Sequence, residues 1–187
     1  MGRWEPGARE RLQRAALELY VERGFEQTTV AEITNRAGLT ERTFFRHFAD
    51  KREVLFYGQA ELLETGVYAI AGASETTAPL AAVVEALQLI AARFEERRES
   101  ARQRQTVIAA NPGLQERELL KLASLASAMA DALRGRGVAE PTASLAAEAG
   151  VAVFKVAFEH WIGEPGERTL SDLIRDSLDH LRAATAG

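Results

Sequence analysis

Apolar residues recur along the chain at intervals of three and four, the spacing of one face of an α-helix, and the strict alternation typical of strands is absent. The pattern therefore predicts an all-α protein of about nine helices. Breaks between the helices fall at glycine and proline, and residues 73–79, ASETTAP, are the strongest linker candidate.

The first three predicted helices are short. Helix 1 carries an apolar stripe and ends at Gly24. Helix 2 begins after Thr29, which forms a capping box with Glu32, and it ends at Gly38. Thr40 can cap a third helix, so only three residues separate the second helix from the third.

The later predicted helices are longer. Asp50 and Glu53 form a second capping pattern, which predicts a fourth helix from Asp50 to Gly72. A further amphipathic stripe covers residues 80–94. Helices are then predicted from about 100 to 111, 114 to 134, 141 to 163 and 169 to 183.

The stretch AGLTERTFFRHFADK, residues 37–51, crosses the short turn between helices 2 and 3. Two short helices joined by a glycine-containing turn are the parts of a helix-turn-helix, whose second helix enters the major groove of DNA. Phe44 and Phe48 lie four residues apart and share an inward face. Arg42, Phe45 and Arg46 lie on another stripe, which suits contacts to phosphates and bases.

The charge of the chain is uneven. The net charge is −4, but residues 1–52 hold ten basic and eight acidic side chains, a net +2, whereas the remainder holds thirteen and nineteen, a net −6. The charge changes where the helical pattern changes, so we expect two domains, residues 1–52 and 53–187. Because the chain lacks cysteine and a long apolar run, we expect a cytoplasmic protein that does not span a membrane.

Residues 9–55 resemble, without a gap, the DNA-binding domain of TetR-family transcriptional regulators. The similarity rests on Gly24-Phe25, on the motifs TTV at 28–30, AGLT at 37–40 and RTFFRHF at 42–48, and on KRE at 51–53. The resemblance implies an N-terminal three-helix helix-turn-helix domain followed by a larger helical ligand-binding and dimerisation domain. It implies DNA contacts from these residues: Thr29, Thr40, Arg42, Thr43, Phe45, Arg46, His47 and Lys51. Lys51 is expected to face phosphate, and Phe45 departs from the family's usual tyrosine.

The resemblance also implies a ligand-responsive regulator, most commonly a repressor, that binds a palindromic operator as a homodimer. The last two helices are the expected dimer interface, through stripes that include Leu145, Val156, Leu173 and Ile174. A small hydrophobic or amphipathic effector would bind in the larger domain. The candidate ligand-binding residues are Phe94, Gln105, Ile108, Met129, Phe154, Phe158 and Trp161. The alternative for each of these residues is ordinary core packing.

Enzymatic function is not expected. The three histidines fall in no metal-binding or catalytic motif, glycine-rich phosphate loops are absent, and no cofactor or metal is predicted. A second hypothesis is a helical ligand-binding or interaction module whose helix-turn-helix no longer binds DNA. The cations Arg42, Arg46 and Lys51, which such a module would be expected to lose, favour the DNA-binding interpretation.

Overall fold

The computed structural model describes residues 7–163 and 166–186, and in these ranges the chain forms nine α-helices and no strand. The predicted all-α class is therefore confirmed. Two short 3₁₀ turns, Glu53–Phe56 and Glu95–Arg97, precede the fourth and sixth helices. The α-helices are α1 (Ala8–Arg23), α2 (Val30–Ala37), α3 (Glu41–His47), α4 (Gln59–Gly72), α5 (Pro79–Ala91), α6 (Arg98–Ala109), α7 (Pro112–Gly135), α8 (Thr142–Gly163) and α9 (Leu170–Thr185).

The chain divides into two compact units. The first contains residues up to Tyr57 together with 103–118, and the second contains 58–102 and the residues from 119 onward. This division differs from the expected domains 1–52 and 53–187. It differs because Val107, Ile108 and Leu114 are buried in the same apolar core as α1, α2 and α3.

The short helices of the first unit begin and end as their capping residues predict. Thr29 accepts a hydrogen bond from the Glu32 amide at 3.3 Å, and the Glu32 carboxylate accepts one from the Thr29 amide at 2.9 Å. Gly38 ends α2 with a φ of 63°, a left-handed conformation that suits glycine. Thr40 accepts from the Thr43 amide at 3.2 Å and so opens α3.

The predicted fourth helix ends at Gly72 as expected, but it begins at Gln59 and not at Asp50. The Asp50 carboxylate accepts hydrogen bonds from the amides of Arg52 and Glu53, as a cap would, but only the 3₁₀ turn Glu53–Phe56 follows. Three successive apolar side chains, Val54 to Phe56, are buried in the first unit. Gly58 then adopts a φ of 89°, and α4 begins after it. The helix is interrupted here because Tyr57 is extended and Gly58 is left-handed, and neither conformation continues a right-handed α-helix.

In the second unit α8 packs against α9 and α5, and α5 packs against α4. The approach of α8 to α5 depends on Gly150, since a Cβ added there would lie 2.3 Å from Cγ1 of the fully buried Val83. Helix α9 begins with a capping box between Thr169 and Asp172. None of the described helices combines the length and the apolar character needed to cross a bilayer.

Candidate nucleic-acid interface

Helix α3 separates its three phenylalanines into two environments. Phe44 is 0% exposed and Phe48 is 3% exposed, and their ring centroids lie 5.4 Å apart in the core of the first unit. Phe45, between them, is 55% exposed. The inward face anchors the helix, and the opposite face carries the exposed side chains of Arg42 and Arg46.

The two exposed arginines of α3 differ from their neighbours in having no ion pair among the described residues. Arg23 lies 2.9 Å from a Glu32 carboxylate oxygen, and Arg36 lies 2.8 Å from one of Glu22. No carboxylate is placed in this way for Arg42 or Arg46, within the ranges the structure describes. Their positive charge is therefore available to a phosphate or a base edge.

The N-termini of α2 and α3 add polar groups to the same unit. Thr29 and Thr40 are the exposed N-cap residues, and Thr43 is half-buried within 3.0 Å of the Thr40 hydroxyl. The first amides of a helix lack partners inside the helix and carry a partial positive charge. Each of these helix starts can therefore receive a phosphate oxygen.

His47 lies at the end of α3 in a partly desolvated position. Its Nε2 atom is buried and has no hydrogen-bond partner among the described residues. Burial lowers the pKa of His47, and the charges of Arg46 and Arg9 lower it further, so the ring is neutral at pH 7. His47 can offer a hydrogen bond at neutral pH and gains a charge only in more acidic solution.

Lys51 was expected to face a phosphate, but in this structure its side chain binds backbone oxygens. Its Nζ donates to the backbone oxygens of Phe25 at 2.8 Å, Glu26 at 3.1 Å and Thr28 at 3.0 Å. An ammonium group has three N–H donors, and all three are engaged. Nζ also lies 4.5 Å from the centroid of the Phe25 ring. Lys51 thus binds the turn between α1 and α2.

A shallow groove of about 670 Å³ runs beside the exposed ring of α3. It extends from Phe45 and Val30 past Lys51 to Asn111 and Leu114 at the turn between α6 and α7. These residues all belong to the first unit. The groove makes the surface beside α3 concave. None of the predicted ligand-binding residues lines this groove.

Sequence reasoning did not identify the role of Arg104. Its Nε donates to the Leu55 backbone oxygen at 2.7 Å, and Nη1 lies 2.9 Å from a Glu118 carboxylate oxygen. The guanidinium also lies 5.1 Å from the centroid of the Phe56 ring. Burial lowers the pKa of Arg104, and Glu118 opposes that shift. These partners are 14 to 49 residues away in sequence, so helical periodicity could not reveal them.

The predicted ligand-binding residues do not form one group. The structure brings together Phe94, Phe154, Phe158 and Trp161 in the second unit, where Phe158 lies 5.8–6.0 Å, centroid to centroid, from the other three rings. Met129 belongs to the same apolar core and is fully buried. Arg98 supports this cluster, because its Nε donates to the Trp161 backbone oxygen at 2.7 Å.

Ile108 and Gln105 belong to the first unit, so the structure does not bring them together with the aromatic cluster. Ile108 is 0% exposed in the core of the first unit. Gln105 donates through Nε2 to a Glu118 carboxylate oxygen at 3.1 Å, also in the first unit. Residues 103–118 pack with the helix-turn-helix core, and the α6 residues that precede them do not.

Of the residues expected at a dimer interface, most are buried within a single chain. Leu173 and Ile174 on α9 are 6% and 0% exposed. On α8, Leu145 is 65% exposed and Val156 is 47% exposed, and the exposed Ala152 lies between them. These three residues follow helical spacing and form an apolar stripe that no described residue covers.

The helix-turn-helix geometry agrees with comparisons to known proteins. A family model described as bacterial regulatory proteins of the tetR family matches residues 12–57, and one described as the MftR C-terminal domain matches residues 77–186, more than half of the chain. The chain belongs to the TetR family. Members of this family are ligand-responsive, DNA-binding transcriptional regulators, and the protein is accordingly not an enzyme.

The chain is 52% identical over 46 residues to the HTH-type transcriptional regulator TcmR of Streptomyces glaucescens, a match that covers 25% of this chain and 20% of TcmR. FadR of Thermus thermophilus, solved with lauroyl-CoA, has a TM-score of 0.58 at 23% identity, with 96% and 95% of the two chains covered. SmeT of Stenotrophomonas maltophilia, solved with triclosan, has a TM-score of 0.65 at 24% identity, with 95% and 90% covered. At these identities the two structures support the fold alone.

Proposed function

We propose that this TetR-family regulator is a cytoplasmic repressor that binds a palindromic operator as a homodimer and is released by a small hydrophobic or amphipathic effector. The observation that carries the proposal is the arrangement of α3. Phe44 and Phe48 fix the helix by burial, while Arg42 and Arg46 remain exposed and without ion pairs among the described residues. A degenerate helix-turn-helix would have no reason to keep two such cations on its outer face.

The proposed contacts divide into two kinds. Arg42, Thr43, Phe45 and Arg46 on α3 would contact base edges or adjacent phosphates. The first amides of α2 and α3, directly after the N-cap residues Thr29 and Thr40, and the neutral ring of His47 would bind phosphates, because the amide and hydroxyl of Thr29 themselves bind the Glu32 carboxylate. Phe45 lacks a hydroxyl, so it can offer only apolar contact to a sugar or a thymine methyl group. We omit Lys51 from the direct contacts because its three donors bind backbone oxygens.

Dimerisation follows from the size of the DNA contact. One recognition helix reads few bases, and a palindromic operator needs two such helices about 34 Å apart on one side of the duplex. The exposed stripe of Leu145, Ala152 and Val156 on α8 supports an interface at the last two helices. Its small and apolar residues would allow a second copy of α8 to approach closely.

The effector class is supported by the aromatic cluster of the second unit. Phe94, Phe154, Phe158 and Trp161 offer ring surfaces, and Met129 offers a flexible side chain that can repack around a ligand. Two proteins of similar fold were solved with hydrophobic or amphipathic molecules, lauroyl-CoA and triclosan. A ligand that binds better to the form with low DNA affinity would release the operator by population shift.

The direct test is a mobility-shift titration with the intergenic DNA beside the gene for this chain. The wild-type protein should retard a fragment that contains a palindrome. Arg42→Ala combined with Arg46→Ala should weaken binding at least about thirtyfold, since each base contact contributes roughly 1–3 kcal/mol. The matched control is Arg93→Ala with Arg97→Ala, two exposed arginines of the second unit that lie outside α8 and α9. If no intergenic or random duplex is bound at low salt, the chain is a helical module without operator binding.

The effector is tested in the same assay. A fatty acyl thioester and a chlorinated phenol represent the two chemical classes, and one of them should release the bound fragment. Phe158→Ala, which removes the central ring of the aromatic cluster, should reduce the response to that compound without reducing operator affinity. Equal release of the wild type and the variant would place the effector outside this cluster.

A further inference from the structure

We infer that Lys51 is a positioning residue that holds the N-terminus of α2 in place for phosphate binding, instead of a phosphate ligand itself. This inference rests on the proposed DNA-binding function. It concerns a side chain that sequence comparison alone would place among the direct DNA contacts.

The first argument is the engagement of the ammonium group. Its three donors bind the backbone oxygens of Phe25, Glu26 and Thr28 at 2.8, 3.1 and 3.0 Å. These oxygens belong to the turn that joins α1 to α2. A charged donor held by three carbonyl oxygens and an aromatic face would lose several favourable contacts if it turned toward a phosphate.

The second argument is the position of the hydrogen bonds that Lys51 makes, directly before the N-cap residue of α2. The Thr28 oxygen belongs to the peptide group that leads directly into Thr29, the N-cap residue of α2. The turn is also tied from within, since the Thr28 hydroxyl donates to the Gly24 oxygen at 2.9 Å. By holding the last carbonyl before the cap, Lys51 determines where the free amides of α2 lie. Those amides are the groups that would receive the phosphate.

The third argument is that the backbone of Lys51 is itself fixed. The buried Tyr20 hydroxyl donates to the Lys51 backbone oxygen at 2.6 Å. Burial raises the pKa of Tyr20, and the charge of Asp50 raises it further, so this donor is retained across the physiological pH range. Lys51 therefore connects the last turn of α1, through its own backbone and side chain, to the start of α2.

The test compares Lys51→Met, which keeps the length of the side chain but removes all three donors, with Arg52→Met in the full-length protein. Arg52 is an exposed neighbouring cation that lies 3.4 Å from Asp50 and has no bond to the turn. Affinity is measured from low to moderate salt on a duplex that the wild type binds. Lys51→Met should weaken binding by about tenfold, the order of one helix-terminus contact to a phosphate. The slope of log affinity against log salt should stay that of the wild type.

A double-mutant cycle with Thr29→Ala separates the three possible roles. If Lys51 acts through the start of α2, its substitution should have little further effect once the Thr29 cap is removed. A slope shallower by about 0.9, with additive effects, would show a direct phosphate contact and overturn the inference. A lower melting temperature with unchanged affinity would also overturn it, because Lys51 would then be only structural.

A second readout does not depend on DNA. Amide hydrogen exchange at Thr28 and Ile33, whose amides donate to the Phe25 and Thr29 backbone oxygens, should be faster in Lys51→Met than in the wild type and in Arg52→Met. If the protein binds no DNA, faster exchange would preserve the assignment of Lys51 to the turn, and only the proposed function would fail. Unchanged exchange at these amides would overturn the inference itself.

Discussion

Each of the two units is stabilised by its own kind of internal contact. In the first unit short helices are fixed by polar groups that bind backbone atoms, such as the Thr29 cap and the Lys51 contacts to the α1–α2 turn. In the second unit long helices pack through small and branched apolar residues, as at Gly150 and Val83. Polar caps fix a helix through its backbone, so its outward side chains stay available for recognition. In the second unit an apolar residue can instead belong to the core, to a ligand pocket or to a dimer interface, and its type alone does not distinguish these roles.

The largest effect is expected where residues of the predicted dimer interface differ in burial within a single chain. Leu173→Asp on α9 places a charge at a position that is 6% exposed, and an uncompensated buried charge costs about 3–5 kcal/mol. Leu145→Asp on α8 places the same charge at a position that is 65% exposed. The first variant should unfold or aggregate, and the second should be a folded monomer. Thermal unfolding and light scattering distinguish these outcomes.

That comparison can also fail in an informative way. A stable dimer of Leu145→Asp would show that the exposed stripe of α8 lies outside the interface. A folded monomer of Leu173→Asp would show that α9 is less tightly packed against its own chain than its burial indicates. The conservative variants Leu173→Met and Leu145→Met serve as controls for side-chain volume.

The next largest effect tests the close packing of the second unit. Gly150→Ala should destabilise the protein by about 1–3 kcal/mol, because the added Cβ would meet the stiff, fully buried Val83 side chain. Gly163→Ala is the control, since a Cβ added there meets no other atom within 4 Å. Denaturant unfolding measures both. If Gly150→Ala is as stable as the control, then α5 and α8 are separable and the unit is not held by this contact.

A smaller effect concerns the electrostatics of the first unit. A phosphate beside His47 would favour its charged form, so the DNA complex would bind more protons than the free protein. Operator affinity should therefore rise as pH falls from neutral toward the lowered pKa of His47 in the free protein, by at most about tenfold per pH unit for one proton. His47→Gln should flatten this dependence, and the exposed His180→Gln on α9 should not. A dependence that survives in His47→Gln would assign the proton to another group.

The smallest effect concerns Phe45. Phe45→Tyr adds a hydroxyl to an exposed ring on α3, and a new hydrogen bond to a phosphate should tighten operator binding by about twofold to tenfold. Phe45→Leu keeps an apolar side chain without the ring and is the control. Binding titrations at two salt concentrations measure the change. Unchanged affinity in Phe45→Tyr would place the ring away from the phosphates.

The helices of the first unit could be predicted because their signals are local. A threonine, a glutamate three residues later and a glycine at the end specify α2 through contacts within one or two turns. The same is true of α3, whose periodicity places Phe44 inside and Arg46 outside. The error at Asp50 arose because the capping pattern is real, but the turn that it opens ends at the extended Tyr57 and the left-handed Gly58.

The sequence by itself determined the all-α fold, the family and the outward face of α3, since these depend on contacts between residues close in the chain. Only the tertiary structure decided that Ile108 joins the core of the first unit, that Leu173 lies inside while Leu145 lies outside, and that Lys51 binds the α1–α2 turn. These outcomes depend on contacts between residues far apart in sequence. A helical repeat shows that a residue shares a face with others, but it does not show what covers that face.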